Sequence, residues 1–156
     1  MTATRLQSLG GQLLMPDLAV FQANVTATIS LTTSYVEQAD VYSVVTINRG
    51  NCYNSSTGRF TAPTAGIYQF GVASIGGNTN DVYRFDFYKN GVGTEYSLRV
   101  STNATGSEYQ NNASMEVYLD LAADDYVSIF AKSDGGNDAY GALNFRYSYF
   151  NGRFIA

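Results

Sequence analysis

Apolar residues recur at every second position along most of the chain. Tyr68, Phe70 and Val72 alternate with Gln69, Gly71 and Ala73, and Tyr83, Phe85 and Phe87 alternate with Arg84 and Asp86. Further on, Tyr96, Leu98 and Val100 alternate with Ser97 and Arg99; Met115, Val117, Leu119 and Leu121 with Glu116, Tyr118 and Asp120. Val127, Ile129 and Ala131 follow the acidic turn AADD, and Leu143, Phe145, Tyr147 and Tyr149 alternate with Asn144, Arg146 and Ser148. A period of two predicts strands with one buried face. Asn90-Gly91 between two such runs predicts a two-residue hairpin. No stretch keeps a helical period beyond about two turns, and no repeat of fixed length recurs. The expected fold is all-β, a sandwich or jelly roll. Residues 1–18 follow neither period and are interrupted by Gly10-Gly11 and Pro16. They read as an extended N-terminal arm, with a short helix over residues 3–9 as the alternative, ahead of a single domain over 19–156.

Between the strands the punctuation is mechanical. Asn54 to Gly58 is a turn, in which Asn and Ser bond their own backbone and Gly takes the positive φ. Arg59-Phe60-Thr61 is a short strand, Pro63 ends it because proline cannot donate to a ladder, and Gly66 opens the strand carrying Tyr68 and Phe70. On several strands the face opposite the aliphatic one also carries rings: Tyr118, Phe130 and Phe150. A solvent-facing sheet does not ordinarily collect them, so these three are expected to form an apolar interface between copies of the chain.

Composition narrows the chemistry. With 156 residues, 45% of them hydrophobic and 14% charged, the chain is long enough to bury a core. Thirteen Tyr and nine Phe suit pleated sheets. A net charge of −4 with two lysines among nine cations argues against nucleic acid as a partner. No segment has the ~20 consecutive apolar residues of a membrane span. The N-terminal segment lacks the apolar core of a signal peptide, so assembly in the host cytoplasm is expected. The single cysteine, Cys52, has no internal disulfide partner and reads as a packed thiol.

There is no histidine, which removes the commonest general base and metal ligand. Asp124-Asp125 has the residue types of a catalytic pair, but adjacent turn aspartates face different ways, and no enzyme activity is expected. Asp134, Asn137 and Asp138 in SDGGNDAYG offer oxygen ligands of the kind calcium uses, at a spacing that matches no defined calcium loop. Calcium is thus a candidate cofactor and a solvated hairpin tip the favoured reading. Asn78 and Asn80 lie in a second polar, glycine-rich loop.

The run Tyr53-Asn54-x-x-Thr57-Gly58-x-Phe60-x-x-Pro63-x-x-Gly66-x-Tyr68-x-Phe70 resembles the signature of the C1q globular-head family, within the tumour necrosis factor-like jelly rolls. Leu119, Leu121, Asp125 and Val127 are similar to a second motif of that family, with Asp124 where glycine is usual, which makes a looser turn the expectation. Ser148, Phe150, Gly152 and Ile155 are similar to its closing motif. The resemblance covers about residues 19 to 156 and implies a jelly roll of about ten antiparallel strands that assembles as a homotrimer. No Gly-X-Y stalk period accompanies it, which suits a viral or bacterial type.

Two non-enzymatic functions follow as expectations. The first is a phage capsid decoration, or cement, protein on the virion surface. Its arm (Leu6, Leu13, Leu14, Met15 and Pro16) would lie on capsid or other virion proteins while the trimer clamps a junction by avidity. The alternative is a trimeric recognition head, a tail-fibre tip or secreted module, binding a glycan or protein ligand through loops that contain Asn78, Asn80, Asp134, Asn137 and Asp138.

Overall fold

The computed structural model describes residues 7–9, 12–14, 19–25, 27–77, 80–102, 111–139 and 148–156, the first two segments as backbone. Among these residues every regular element is a strand. In chain order they are β1 (Gln7–Leu9), β2 (Gln12–Leu14), β3 (Val20–Asn24), β4 (Val36–Glu37), β5 (Val44–Arg49), β6 (Tyr53–Asn54), β7 (Arg59–Thr61), β8 (Gly66–Ile75), β9 (Asp81–Lys89), β10 (Val92–Thr102), β11 (Asn112–Leu121), β12 (Tyr126–Ser133) and β13 (Tyr149–Phe154). One sheet has the order β11-β8-β13-β3-β5. The other has β10-β9-β12-β7-β6, with β4 also pairing β12 beyond the end of β7. All the pairings are antiparallel.

Residues 7–9 are strand rather than the alternative helix. β1 and β2 form a separate hairpin with Leu9 opposite Gln12, so part of the arm is paired with itself rather than simply extended.

The two sheets close over a core of rings. Phe60 of one packs on Tyr68 and Phe70 of the other at 5.3 and 5.1 Å between centroids. Phe21 lies flat on Tyr53 at 4.5 Å. Tyr53 lends its ring to this cluster while its hydroxyl donates to the Tyr42 carbonyl at 2.9 Å, which satisfies the buried O–H.

The sequence reading of Phe150 as an interface ring is overturned here. Phe150 is fully buried and surrounded by the rings of Phe21, Tyr42, Tyr53, Phe70 and Phe87 at 4.8 to 6.3 Å. Along β13 the inward positions are Phe150 and Gly152, with Tyr149 and Asn151 outside. The inward phase is therefore opposite to the one the Leu143–Tyr149 alternation extrapolates to, and a shift of one residue moves every side chain to the other face. Residues 140–147, which carried most of that alternation, lie outside the described residues. Gly152 shows why the phase is fixed: a Cβ there would stand 2.5 Å from Phe70 Cδ1 and 2.7 Å from Phe21 Cε1. Only a residue without a side chain lets those rings meet.

The motif turns take the forms their residues require. Asn54 Oδ1 accepts from Ser56 N at 2.9 Å, and Gly58 has φ +66° at a place where a Cβ would run into the carbonyls of Gln38 and Ala39. The Asn90-Gly91 hairpin has φ values of 51° and 76°, the twist of a type I′ turn. Asp124 adopts φ 68°, so the turn keeps the left-handed conformation glycine would give it instead of loosening; aspartate is among the residues that tolerate this region. Asp125 closes that turn by accepting from Ala122 N at 2.7 Å.

Candidate functional site

The outer face of the β11-β8-β13-β3-β5 sheet is where exposed apolar and charged side chains occur together. Because Tyr68, Phe70 and Val72 point inward, Ile67 and Gln69 point out. The register places Tyr118 beside Gln69, Asn151 beside Gln22 and Ile47 beside Gln22. Tyr118 is 59% exposed, and Ile47, Ile67 and Ile155 are exposed on the same face; Ile155, just past β13, pairs its backbone with Ile67. Between them runs a row of polar side chains. Gln69 Nε2 donates to Glu116 Oε2 at 2.8 Å, and Arg153 Nε donates to Gln69 Oε1 at 2.9 Å. Asn151 Nδ2 donates to Gln22 Oε1 at 3.1 Å, and Gln22 Nε2 to Asn24 Oδ1 at 3.2 Å. Val20, Ile47, Gln69, Glu116 and Arg153 border a shallow groove of about 250 Å³ on this face. The row was invisible to sequence reasoning, since each member is simply the polar half of an alternation; only the register aligns them.

On the other sheet several rings and cations are engaged within the subunit, while Val36, Val92 and Tyr96 on its strands stay exposed. Phe130 lies flat on Tyr88 at 3.8 Å and 15°, with Tyr35 beyond Tyr88 at 6.3 Å. Lys132 Nζ sits 5.2 Å over the Tyr35 ring and the Arg59 guanidinium 4.3 Å over that of Tyr126. Arg59 binds Glu37 through two 2.8 Å hydrogen bonds, which hold the Glu37 carboxyl below its ordinary value. Partial burial and the Asp86 carboxylate raise Tyr35 to about 12. Phe130 and Tyr118 thus occupy different sheets and opposite outer faces. Of the three rings expected to cluster, the structure brings none together.

The loop carboxylates are used locally. Asp134 accepts from Arg84 at 3.1 and 2.7 Å and lies 3.5 Å from Lys132 Nζ. Asp138 Oδ1 accepts from Leu31 N at 3.3 Å. Asn137 donates to the buried Asp81 at 2.9 Å, beside Gly135 N at 2.8 Å and Val82 N at 2.7 Å. Burial pushes Asp81 up, but these donors together outweigh it and leave the carboxyl lowered. Among the described residues no three His, Cys, Asp or Glu side chains converge, and Asp134, Asn137 and Asp138 are each engaged by a different partner. Asn80 is exposed, and Asn78 lies outside the described residues, as do Leu6, Met15 and Pro16; Leu13 and Leu14 are in β2. The Asp125 carboxylate, bound by Lys89 and Asn90 and drawn down to about 2 by them, belongs to a turn rather than to a catalytic pair. Cys52 is buried, and its thiol is pushed up to about 11, the opposite of an activated nucleophile.

Solved structures share this architecture at low identity. The globular domain of zebrafish complement 1qA superposes with a TM-score of 0.61 at 17% identity, covering 88% of this chain and 98% of that one. Murine APRIL at pH 5.0 gives 0.63 at 12% identity, covering 88% and 99%. At these identities the likeness establishes the jelly-roll fold. The family model described as C1q domain matches residues 20–155, nearly the whole of the sandwich just described, and the chain therefore belongs to the C1q domain family.

Proposed function

We propose that this protein is a non-enzymatic, homotrimeric binding module whose subunits meet through the outer face of the β11-β8-β13-β3-β5 sheet. The observation that carries the proposal is the exposure there of Tyr118, Ile47, Ile67 and Ile155 around a groove, on a sheet whose opposite surface already packs the core. Fully burying one such side chain contributes roughly 1.5–3 kcal/mol, so the four together favour association. Membership of the C1q domain family supports three subunits over two. Sedimentation equilibrium tests it: a species of three times the 16.9 kDa subunit mass is expected, dissociating in Tyr118→Glu. A folded monomer at micromolar concentration would refute it.

The finer reading is a virion surface clamp, a capsid decoration protein, with glycan or protein recognition by a free-standing head as its rival. The β1–β2 hairpin favours the clamp. Among the described residues its two strands pair only with each other; such a hairpin is marginal alone and gains stability when docked on a partner surface such as neighbouring capsid subunits. Deleting residues 1–18 is expected to abolish attachment to an assembled shell while leaving the trimer intact; undiminished attachment would remove the clamp reading. Glycan binding by the trimer, lost on exchange of the 133–139 loop, would favour the rival.

A further inference from the structure

The outer face of the β11-β8-β13-β3-β5 sheet has opposite charge at its two sides. Glu116 and Asp120 project from the edge strand β11. The outward positions of β8 are neutral, and Arg153 on β13 and Arg49 on β5 follow across the sheet. None of these four has an ion-pair partner among the described residues, where the salt bridges are Arg59–Glu37, Arg84–Asp134, Lys89–Asp125 and Lys132–Asp134. Glu116 and Arg153 are held apart by design of the register: β8 separates their strands, placing the backbones about 10 Å from each other. Gln69 fills the gap, donating to one and accepting from the other. Among the described residues Glu116 Oε1 and both terminal guanidinium nitrogens of Arg153 make no hydrogen bond, and both residues are exposed.

Resting on the trimeric reading above, we propose that Glu116 of each subunit pairs with Arg153 of the next, forming a closed ring of three intersubunit ion pairs beside the Tyr118 contact. Charge complementarity selects the occupant. A face acidic at one edge and basic towards the other matches a second copy of itself placed head to tail, as a heterologous cyclic interface requires. A uniformly acidic or basic partner would meet a like charge at one side. Gln69 acts as a positioning residue: it keeps the two charges from collapsing onto each other within one subunit, and it fixes the carboxylate and the guanidinium in the geometry that suits a bidentate contact.

Charge exchange tests the pairing. Glu116→Arg and Arg153→Glu are each expected to weaken association by about 30-fold or more, because like charges then face each other. The double variant E116R/R153E is expected to recover most of the loss, as a coupled pair must. Arg99→Glu, on the outer face of the other sheet, is expected to leave association unchanged. Sedimentation velocity over a dilution series reads all four, with circular dichroism confirming the fold. Should a reversal unfold the subunit, E116Q and R153Q replace it, and association is then expected to lose part of its salt dependence. Single reversals without effect, a double variant as weak as the singles, or unaltered salt dependence in the neutral variants would each overturn the pairing while a trimeric wild type keeps the parent reading. A wild type that stays monomeric would overturn both.

Discussion

Phe150 separates two accounts of the same residue, because its ring is either an interface contact or the centre of the core. Its side chain is fully buried within one subunit and packs against five other rings, four drawn from both sheets and Tyr42 from the segment just before β5. Phe150→Ala therefore opens a cavity that the sandwich can only partly close, since neighbouring rings on paired strands are fixed by their registers. Deletions of this kind cost about 3–5 kcal/mol. The lost aromatic pairs, worth roughly 0.5–1.5 kcal/mol each beyond area, place this one towards the upper end. For a domain of this size each kcal/mol moves Tm by roughly 2–4 °C, so a drop of about 6–20 °C is expected. The measurement is thermal and urea unfolding at several protein concentrations, since assembly makes Tm concentration-dependent. Tyr118→Ala serves as the comparison, with subunit stability expected to change by no more than about 0.5 kcal/mol while association weakens. If Phe150→Ala instead unfolds within about 1 kcal/mol of wild type but dissociates the oligomer, the core assignment and the phase of β13 are wrong.

Three further outcomes follow from the same packing. Gly152→Ala drives a methyl group into the Phe70 and Phe21 rings, and an overpacking loss of about 1–3 kcal/mol is expected in urea titrations; a neutral effect would mean that the rings yield more readily than the close sheet packing implies. Glu37, Asp81, Asp125 and Asp134 all have folded values below their ordinary ones. Their contribution is therefore complete above the ordinary carboxylate range and is lost as pH falls through the folded values, down to about 2 for Asp125. With no histidine, and with the Cys52 thiol raised to about 11 so that it withdraws stability only as pH passes its ordinary value, Tm should be nearly flat from about pH 5 to 8; a marked slope in that window would contradict this. Cys52, buried and disfavoured as a thiolate, should resist a thiol reagent such as Ellman's reagent in native buffer and react fully in denaturant. Fast native labelling would show that the 48–54 segment opens.

Period-two alternation located β9, β10, β11 and β12, where buried and more exposed positions alternate over much of each strand, and it located β8 as well, although that central strand is buried at every position from Tyr68 to Ile75. It misread the ends of that pattern for local reasons. Tyr96 was grouped with Leu98 and Val100, yet it is exposed, because the β9–β10 register shifts between Gly93 and Ser97 and a bulge breaks the alternation. Phe150 was placed outside because its inward partner two residues on is a glycine, which adds no hydrophobic signal to the strand. Tyr118 and Phe130 were rightly read as outward positions on their strands, but sequence assigns no strand to a sheet. Whether two outward rings share a face depends on the strand order, which long-range pairing decides. The Glu116–Gln69–Arg153 row was illegible for the same reason: its members are 47 and 84 residues apart along the chain, and each alone is an ordinary surface residue.

The contrast between the two outer faces carries the argument about which one meets a partner. Sheets exposed on one side must dispose of their outward side chains, and the two sheets do so differently. On the β12 side Arg59, Arg84 and Lys132 are all ion-paired within the subunit and Phe130 is covered by Tyr88; Arg99, on the edge strand β10, is the exception. Much of that surface must give up an existing contact to make a new one, although Val36, Val92 and Tyr96 on its strands stay exposed. On the β13 side the glutamines and asparagines satisfy one another, while the groups with the most to gain, Glu116, Arg153 and the ring of Tyr118, are left with free capacity. Contacts there replace only water, so association through that face costs no internal bond and recovers both apolar burial and charge pairing. The polar row between them also limits the alternatives: a partner must present polar groups opposite Gln69, Gln22 and Asn151, or leave them hydrated, and a second copy of this face offers amides of the same kind.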